Sequence, residues 1–283
     1  MNDDAQLEVL AAARTIAEEA GRIVLQGFRR APQIELKGAI DLVTDRDRAS
    51  EAWIRSRMAE VFPAHGLVAE EGGGDAAQRS KELVWFCDPL DGTTNFAHGH
   101  FFFAVSLGLC HRGVPLLGVV HAPALRTTWW GGPGVGSFRA TEGMPLERCR
   151  VRGGRTLSES VLATGFPYDR RTSAENNVRE TSRIVLGVRG LRRCGAAAID
   201  LCLVADGTYD GYWEQKLAPW DLAAGAAIAW GAGARLTRYD GRDLRETGLE
   251  GRGRDEEAYQ GRIVATNGLV HDELLHEIAA ARS

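Results

Sequence analysis

Short apolar runs that end on acidic residues set the tightest limit on what this chain can fold into. Leu67-Val68-Ala69 runs into Glu70-Glu71, and residues 83–87 run into Asp88. Runs of this length suit buried strands, and a strand that ends on an acid delivers a carboxylate at the edge of the core. Before them the periodicity is helical. Leu7, Leu10, Ile16, Ala20, Ile23, Val24 and Phe28 share one face of a helix over 4–29, with Asp3 or Asp4 as its cap. Ile34 and Leu36 suggest a short strand, closed by a turn at Lys37-Gly38. Thr44, with Asp47 three residues on, has the capping pattern of a second helix. Its buried face is read as Trp53, Ile54, Met58, Val61 and Phe62, and Pro63 stops it.

After the acidic segments come strands over 101–110, 114–120 and 127–130. The stretch 140–157 is polar and aperiodic and marks a domain boundary, dividing 1–145 from 146–283. Beyond it strands at 161–163, 209–213, 235–237 and 263–265 alternate with helices at 174–186, 196–205, 221–231 and 271–281. Residues 248–258 are charged and glycine-rich and read as a mobile loop. Helices, then strands, then alternation is the pattern of an α/β (α+β) chain with a mixed sheet covered by helices.

Composition excludes several classes. The chain has 283 residues, ample for a large core, and a formal net charge of -4, with no basic stripe to hold nucleic acid. No apolar run approaches the length of a membrane span, and the acidic N-terminus lacks a signal-peptide pattern, so the cytoplasm is expected. Five cysteines, an odd number without metal-ligand spacing, read as reduced thiols; Cys194 and Cys202 sit in a helical-looking stretch as small core residues. His98-Gly99-His100 reads as a turn, and Phe101-Phe102-Phe103 as core.

The segment Asp88-Pro89-Leu90-Asp91-Gly92-Thr93-Thr94-Asn95-Phe96 carries the strongest chemical signal. Pro89 presets the backbone and Gly92 permits a left-handed residue, so a loop there can aim two carboxylates and a carbonyl at one point. Hard divalent cations take such oxygen donors. Glu70-Glu71 and Asp221 would each pass alone for a solvated pair and a helix cap. Asp221, however, follows Pro219-Trp220 and precedes an almost wholly apolar helix, where a lone carboxylate is costly without a compensating charge. Carboxylates without histidine or cysteine partners select Mg²⁺, Mn²⁺ or Ca²⁺ over zinc.

These segments, with Trp220-Asp221-Leu222-Ala223-Ala224-Gly225 and Gly195-Ala196-Ala197-Ala198 ahead of Glu214, resemble the signatures of the inositol monophosphatase family, in order and spacing along nearly the whole chain. The resemblance implies an αβαβα layered sandwich, commonly a Li⁺-sensitive homodimer, using two to three Mg²⁺ to hydrolyse a small phosphate ester by metal-activated water. It implies that Glu70, Asp88 and the Leu90 carbonyl hold one metal, and that Asp88, Asp91 and Asp221 hold a second. A third metal would sit near Glu70, with Asp47 reaching it through water. Thr93 and Glu70 would orient and deprotonate the attacking water. The Gly92 and Thr93 amides would grip the phosphate, and Asp91, Gly195, Ala197 and Glu214 would face substrate hydroxyls. Thr93-Thr94-Asn95-Phe96 and Glu214 favour inositol monophosphate. Thr164-Gly165-Phe166-Pro167-Tyr168 resembles bacterial members, which leaves histidinol phosphate, fructose 1,6-bisphosphate or a broad range of sugar phosphates as alternatives. A different class of role, binding to the transcription machinery, would use the basic cluster Arg189, Arg192 and Arg193.

Overall fold

The computed structural model describes residues 1–30, 34–36, 42–153, 156–249 and 261–283. The Lys37-Gly38 turn and most of the charged stretch after Gly248 lie outside the described residues.

Helix α1 (Asp3–Gly27) buries Leu10, Ala13, Ile16, Ala17, Ala20 and Val24 on one stripe. Its cap is Asn2, whose side chain accepts from the Ala5 N–H, rather than Asp3 or Asp4. Those two acids occupy the first turn, where the helix dipole favours them. A two-stranded ribbon, β1 (Ile34–Leu36) and β2 (Leu42–Thr44), leads into α2 (Asp45–Val61) through the Thr44/Asp47 capping box. The buried face of α2 is Asp47, Ser50, Glu51, Ile54 and Met58, so it is half polar, while Val61 is exposed. An apolar pattern cannot reveal such a face, because polar side chains serve the site beneath it.

A seven-stranded sheet follows, in spatial order β3 (Gly66–Ala69), β4 (Leu83–Asp91), β5 (Ala104–His111), β6 (Val114–Ala122), β7 (Thr127–Gly132), β8 (Gly136–Thr141) and β9 (Glu147–Arg148). Only β3 and β4 pair in parallel; the remaining neighbours are antiparallel. The short helices α3 (Ala76–Arg79) and α4 (Thr93–Ala97) flank β4 in the chain. Phe101 is half exposed while Phe102 and Phe103 are buried, and the strand starts only at Ala104. Phe103 packs on Phe28 and meets Phe96 edge to face, which fixes the chain before it enters the sheet.

The aperiodic 140–157 region holds the end of β8 and the two-residue β9, closing the first sheet. The second sheet is five-stranded, in the order β11 (Gly190–Arg192), β10 (Val161–Thr164), β12 (Gly211–Glu214), β14 (Ile263–Thr266), β13 (Arg235–Thr237). Helix α5 (Val178–Ile184) is shorter than the 174–186 expected. Asn177, left-handed at φ 66°, donates to the Thr164 hydroxyl and the Gly165 carbonyl and accepts from the Trp213 indole. Those bonds hold its backbone out of the helix. Cys194 likewise precedes α6 (Ala197–Ala205) rather than lying in it; all five cysteines are free thiols. Helix α7 (Pro219–Gly231) starts two residues before Asp221, with Pro219 in the first turn where its missing N–H costs nothing. The short α8 (Leu244–Thr247) and the C-terminal α9 (His271–Arg282) complete the described elements.

The layers are α1 and α2, the seven-stranded sheet, α6 and α7, the five-stranded sheet, then α5 and α9, which is an αβαβα sandwich. Three apolar cores fill the gaps between these layers. The central one is unusually tight. A Cβ on Gly118 would stand 2.2 Å from the Ala224 carbonyl oxygen, and one on Gly108 would stand 2.4 Å from the Ala223 Cβ. Glycine on β5 and β6 opposite alanine on α7 therefore lets this helix lie almost directly on the sheet.

Candidate active site

Strand β4 does not end at Cys87, as expected, but continues through Asp91. Asp88 pairs with Ser106 and Asp91 with Ala104, so β4 carries one residue more than β5 across this step. Pro89, which has no N–H to give the ladder, falls within that bulge. The bulge is held from three sides. Ser50 of α2 donates to the Pro89 carbonyl at 2.9 Å, the Leu90 N–H donates to Asp88 at 2.8 Å, and the Thr93 hydroxyl is 3.0 Å from the Leu90 carbonyl. Gly92 then turns left-handed at φ 88°, with the Phe102 carbonyl only 2.9 Å from where a Cβ would stand. No other residue type fits that turn without strain.

Glu70 follows β3 directly and its N–H donates to the Cys87 carbonyl. The loop that carries it is tied down by α2. The buried Glu51 carboxylate accepts from the Glu71 and Gly72 N–H groups at 2.9 and 2.8 Å, and Arg55 bridges Glu51 to the Gly73 carbonyl. Asp221 enters from α7, where its carboxylate accepts from the Ala218 N–H at 2.7 Å. Asp91 accepts from the Ala198 N–H at the start of α6, also at 2.8 Å. Asn95 spans the gap between the two halves, donating to the Phe102 and Cys194 carbonyls.

Glu70, Asp88, Leu90, Asp91, Gly92, Thr93, Gly195, Ala197, Glu214 and Asp221 all line one cavity of about 580 Å³. Acids separated by up to 151 positions in the chain thus converge. Asp47 is the exception. It is fully buried behind Thr93, which it contacts at 3.0 Å, while its second oxygen takes the Thr44 N–H and hydroxyl. It reaches the cavity only through Thr93.

The electrostatics of the site are those of crowded, desolvated anions. Burial pushes Asp88 well up, and Glu70, Asp91 and Asp221 add to the rise. Burial does the same to Asp221, followed by Glu70 and Asp91. Asp91 is lifted to about 7 by burial, against the Ala198 N–H bond and with the help of Glu70 and Glu214. Burial also raises Asp47, against its bonds from Thr44 and Thr93. Glu214 is lifted to about 7 by burial, opposed by the Tyr212 hydroxyl at 2.5 Å and by the charge of Arg193. Asp200 on α6, which apolar patterning does not flag, is buried with one oxygen lacking a partner, and burial, Glu214 and Asp91 all drive it up.

Among the described residues, Asp88, Asp91 and Asp221 have no lysine or arginine in ion-pair contact. Nor do any three acidic, histidine or cysteine side chains there already stand close enough to grip an ion. The carboxylates of Asp88, Asp91 and Asp221 rest instead on nearby N–H groups. Hard oxygen donors only, several buried negative groups and no direct counter-charge on the three aspartates fit divalent cations of the Mg²⁺ kind.

Sequence reasoning missed Ser50, Glu51 and Arg55, and read Asn95 only as part of a motif; all four touch the site's backbone rather than its cavity. It read Arg193 as part of an outward basic cluster, whereas this side chain lines the cavity together with Arg170. Arg189, Arg192 and Arg193 are all exposed.

Fold and cavity together define a phosphoric monoester hydrolase of the layered sugar-phosphatase type. The chain belongs to the inositol monophosphatase family, whose model matches residues 5–283. It is similar to an inositol-1-monophosphatase of Synechocystis sp., 39% identical over 92% of this chain and 85% of that protein. It is also similar to a fructose-1,6-bisphosphatase/inositol-1-monophosphatase of Aquifex aeolicus, 34% identical over 81% of this chain and 84% of that protein. The solved structure of an inositol monophosphatase from Anabaena (Nostoc) sp. superposes with a TM-score of 0.82 at 36% identity, covering 97% of this chain and 96% of that one. The family acts on small phosphate esters and is generally Mg²⁺-dependent. No helix among the described residues is long and apolar enough to cross a membrane.

Proposed function

We propose that this chain hydrolyses inositol monophosphate, with Glu70, Asp88 and the Leu90 carbonyl holding one Mg²⁺ and Asp88, Asp91 and Asp221 a second. The observation that carries the reading is the convergence of these groups on a single cavity from β3, β4 and α7. Cations bound there neutralise the phosphate dianion, acidify water and stabilise the leaving alkoxide. The protein's own part is positioning. Asp47 takes the Thr93 hydroxyl proton, which leaves the Thr93 oxygen lone pairs free to accept from a water directed at phosphorus. Glu70, across the cavity, receives the second proton of that water. The Gly92 and Thr93 amides hold the phosphate oxygens. Glu214, Gly195, Ala197 and Asp91 face the ring hydroxyls, and Gly165 gives Glu214 its room, since any Cβ there would stand 2.0 Å from the carboxylate. A weaker third cation near Glu70 belongs to the same reading, with Asp47 acting on it through the Thr93 hydroxyl rather than through water.

The test is phosphate release from myo-inositol 1-phosphate in Mg²⁺ by the wild-type chain and Asp221→Asn. Because even outer partners of metal ligands cost about 10–100-fold when removed, losing this carboxylate should cost more than about 100-fold. Near wild-type turnover of the variant in saturating Mg²⁺, or a trapped aspartyl-phosphate, would refute the assignment. Negligible release from inositol 1-phosphate beside fast release from histidinol phosphate would keep the metal site and replace the substrate.

A further inference from the structure

We propose that a second cavity, behind the Glu70–Gly73 turn, is a binding site for a small organic anion with a flat apolar body, and that filling it tightens Mg²⁺ binding at the active site. The binding claim stands on this cavity alone. The coupling claim rests on the metal site of the phosphatase reading above.

The cavity has a volume of about 550 Å³ and lies between the end of α2, the start of β3 and α3. It is close in size to the active-site cavity and shares no lining residue with it. One wall is aromatic. The Phe62 ring stacks on the His65 imidazole at 5.3 Å and lies 5.2 Å from the Trp85 indole. The indole N–H donates to His65 Nδ1 at 3.1 Å. Burial, then the charge of Lys81, hold His65 below the ordinary histidine value, so near pH 7 the ring is neutral and carries its proton on Nε2.

The other polar lining groups have donors to spare. Lys81 spends one N–H on the His65 carbonyl at 2.9 Å and has no carboxylate partner among the described residues. Gln78 accepts from the Leu67 N–H through Oε1 at 3.2 Å, and its amide nitrogen is engaged by no described residue. Arg55 commits Nε to Glu51 and Nη2 to the Gly73 carbonyl, and its Nη1 is likewise unengaged among the described residues. Asp75, the one acid among the lining residues, accepts from the Gln78 backbone N–H as the cap of α3. An apolar wall, a few placed donors and more cations than acids suit a ligand whose ring packs on the wall and whose anionic head meets Lys81 and Arg55.

Arg55 joins this cavity to the metal site. Its guanidinium lies 2.7 Å from where a Cβ on Gly72 would stand. It also bridges Glu51, which holds the Glu71 and Gly72 N–H groups, to Gly73. An anion on Nη1 leaves both bonds in place and takes up the remaining freedom of a half-buried side chain. The turn that carries Glu70 is then stiffer, so its carboxylate loses less freedom on closing round a cation.

The experiment has two arms, both on the full chain. Calorimetry in chelator, where the acids of the active site repel anions, measures binding of 2-naphthoate, naphthalene-2-phosphonate and neutral 2-naphthamide. At least one acid should bind about tenfold more tightly than the amide, the scale of one bond to a charged group. Which acid leads separates a carboxylate from a phosphate-type head. Lys81→Met, which keeps the apolar stem, should remove that advantage and leave amide binding unchanged. Ala59 is exposed and lines the cavity from α2, so Ala59→Phe should fill the cavity and abolish binding of all three probes. No binding, equal binding of acid and amide, or binding that survives Ala59→Phe overturns the site. In the second arm, the leading acid at saturation should raise the calorimetric affinity for Mg²⁺ by about fivefold in the wild type and not in Ala59→Phe. An unchanged or lowered affinity overturns the coupling. A chain that binds Mg²⁺ yet releases no phosphate from any ester defeats the phosphatase reading and leaves both arms standing.

Discussion

Asp91 answers to opposing demands. It takes an N–H bond from α6, which favours its charge, while burial and its acidic neighbours raise it to about 7. Glu214 is raised to about 7 as well, and both stand well above the ordinary 3.8 and 4.5 of their side chains. The sign of the pH dependence follows. Between about pH 4 and pH 7 these two groups keep protons in the folded chain that the unfolded chain has released, so their contribution to stability falls as pH rises, while His65, His121 and His271, which burial lowers, act the opposite way up to about pH 6.5. Asp47, Asp88, Asp200 and Asp221 are raised too and act in the same direction. The carboxylates that salt bridges hold low, such as Glu82 beside His111 and Arg112, act only at more acidic pH. Above about pH 6.5, where the histidines no longer titrate in either state, thermal unfolding in chelator should therefore give a falling Tm up to about pH 7.5. Excess Mg²⁺, which binds the ionised carboxylates, should raise Tm more at about pH 8 than at pH 5. A Tm that climbs over this range in chelator would show that the site is not the dominant titrating cluster.

At the scale of elements, helix α2 supports the site that β3 and β4 present. Its Glu51 holds two backbone N–H groups of the Glu70–Gly73 turn and is itself held by Arg55. Glu51→Ala leaves those donors and the guanidinium without their acceptor. The expected cost is about 2–3 kcal/mol in denaturant unfolding. The Mg²⁺ concentration for half-maximal activity should rise, because Glu70 loses its fixed turn. An unchanged Mg²⁺ requirement would mean that the turn is held elsewhere. Glu70, Asp88, Asp91 and Asp221 were legible in the sequence because each ends or begins an apolar element, where an acid is conspicuous. Ser50 and Glu51 were not. On one helix, polar residues read as a solvated face, and only the strand ends packed against them show that this face is buried.

Across the whole molecule, the distance between α7 and the seven-stranded sheet decides whether Asp221 reaches the carboxylates of β4. That distance depends on Gly108 and Gly118, which leave no side chain between strand and helix. Gly118→Ala would drive its Cβ against the Ala224 backbone, which cannot yield as a flexible side chain can. Such overpacking costs typically about 1–3 kcal/mol. Activity should fall further than stability does, since a shift of about 1 Å at a remote position can cost ~100-fold in rate. Denaturant unfolding paired with phosphate release at a temperature where the variant remains folded separates the two effects; full activity in a destabilised variant would count against the spacing argument.

What could be read along the chain alone was the pattern: acidic residues at the ends of buried runs, a proline between two of them, a glycine directly after the second, and a carboxylate at the head of an apolar helix. Local rules of propensity, capping and turn formation act over a few residues, so these features are visible without a fold. Which polar groups share the site depended on long-range packing. The strand carried on through Pro89 because a neighbouring strand and Ser50 stabilise the bulge. Asp47 went behind Thr93, and Arg193, though exposed, stands on the rim of the cavity. Such placements depend on partners far away in the chain, whose packing no window of sequence contains.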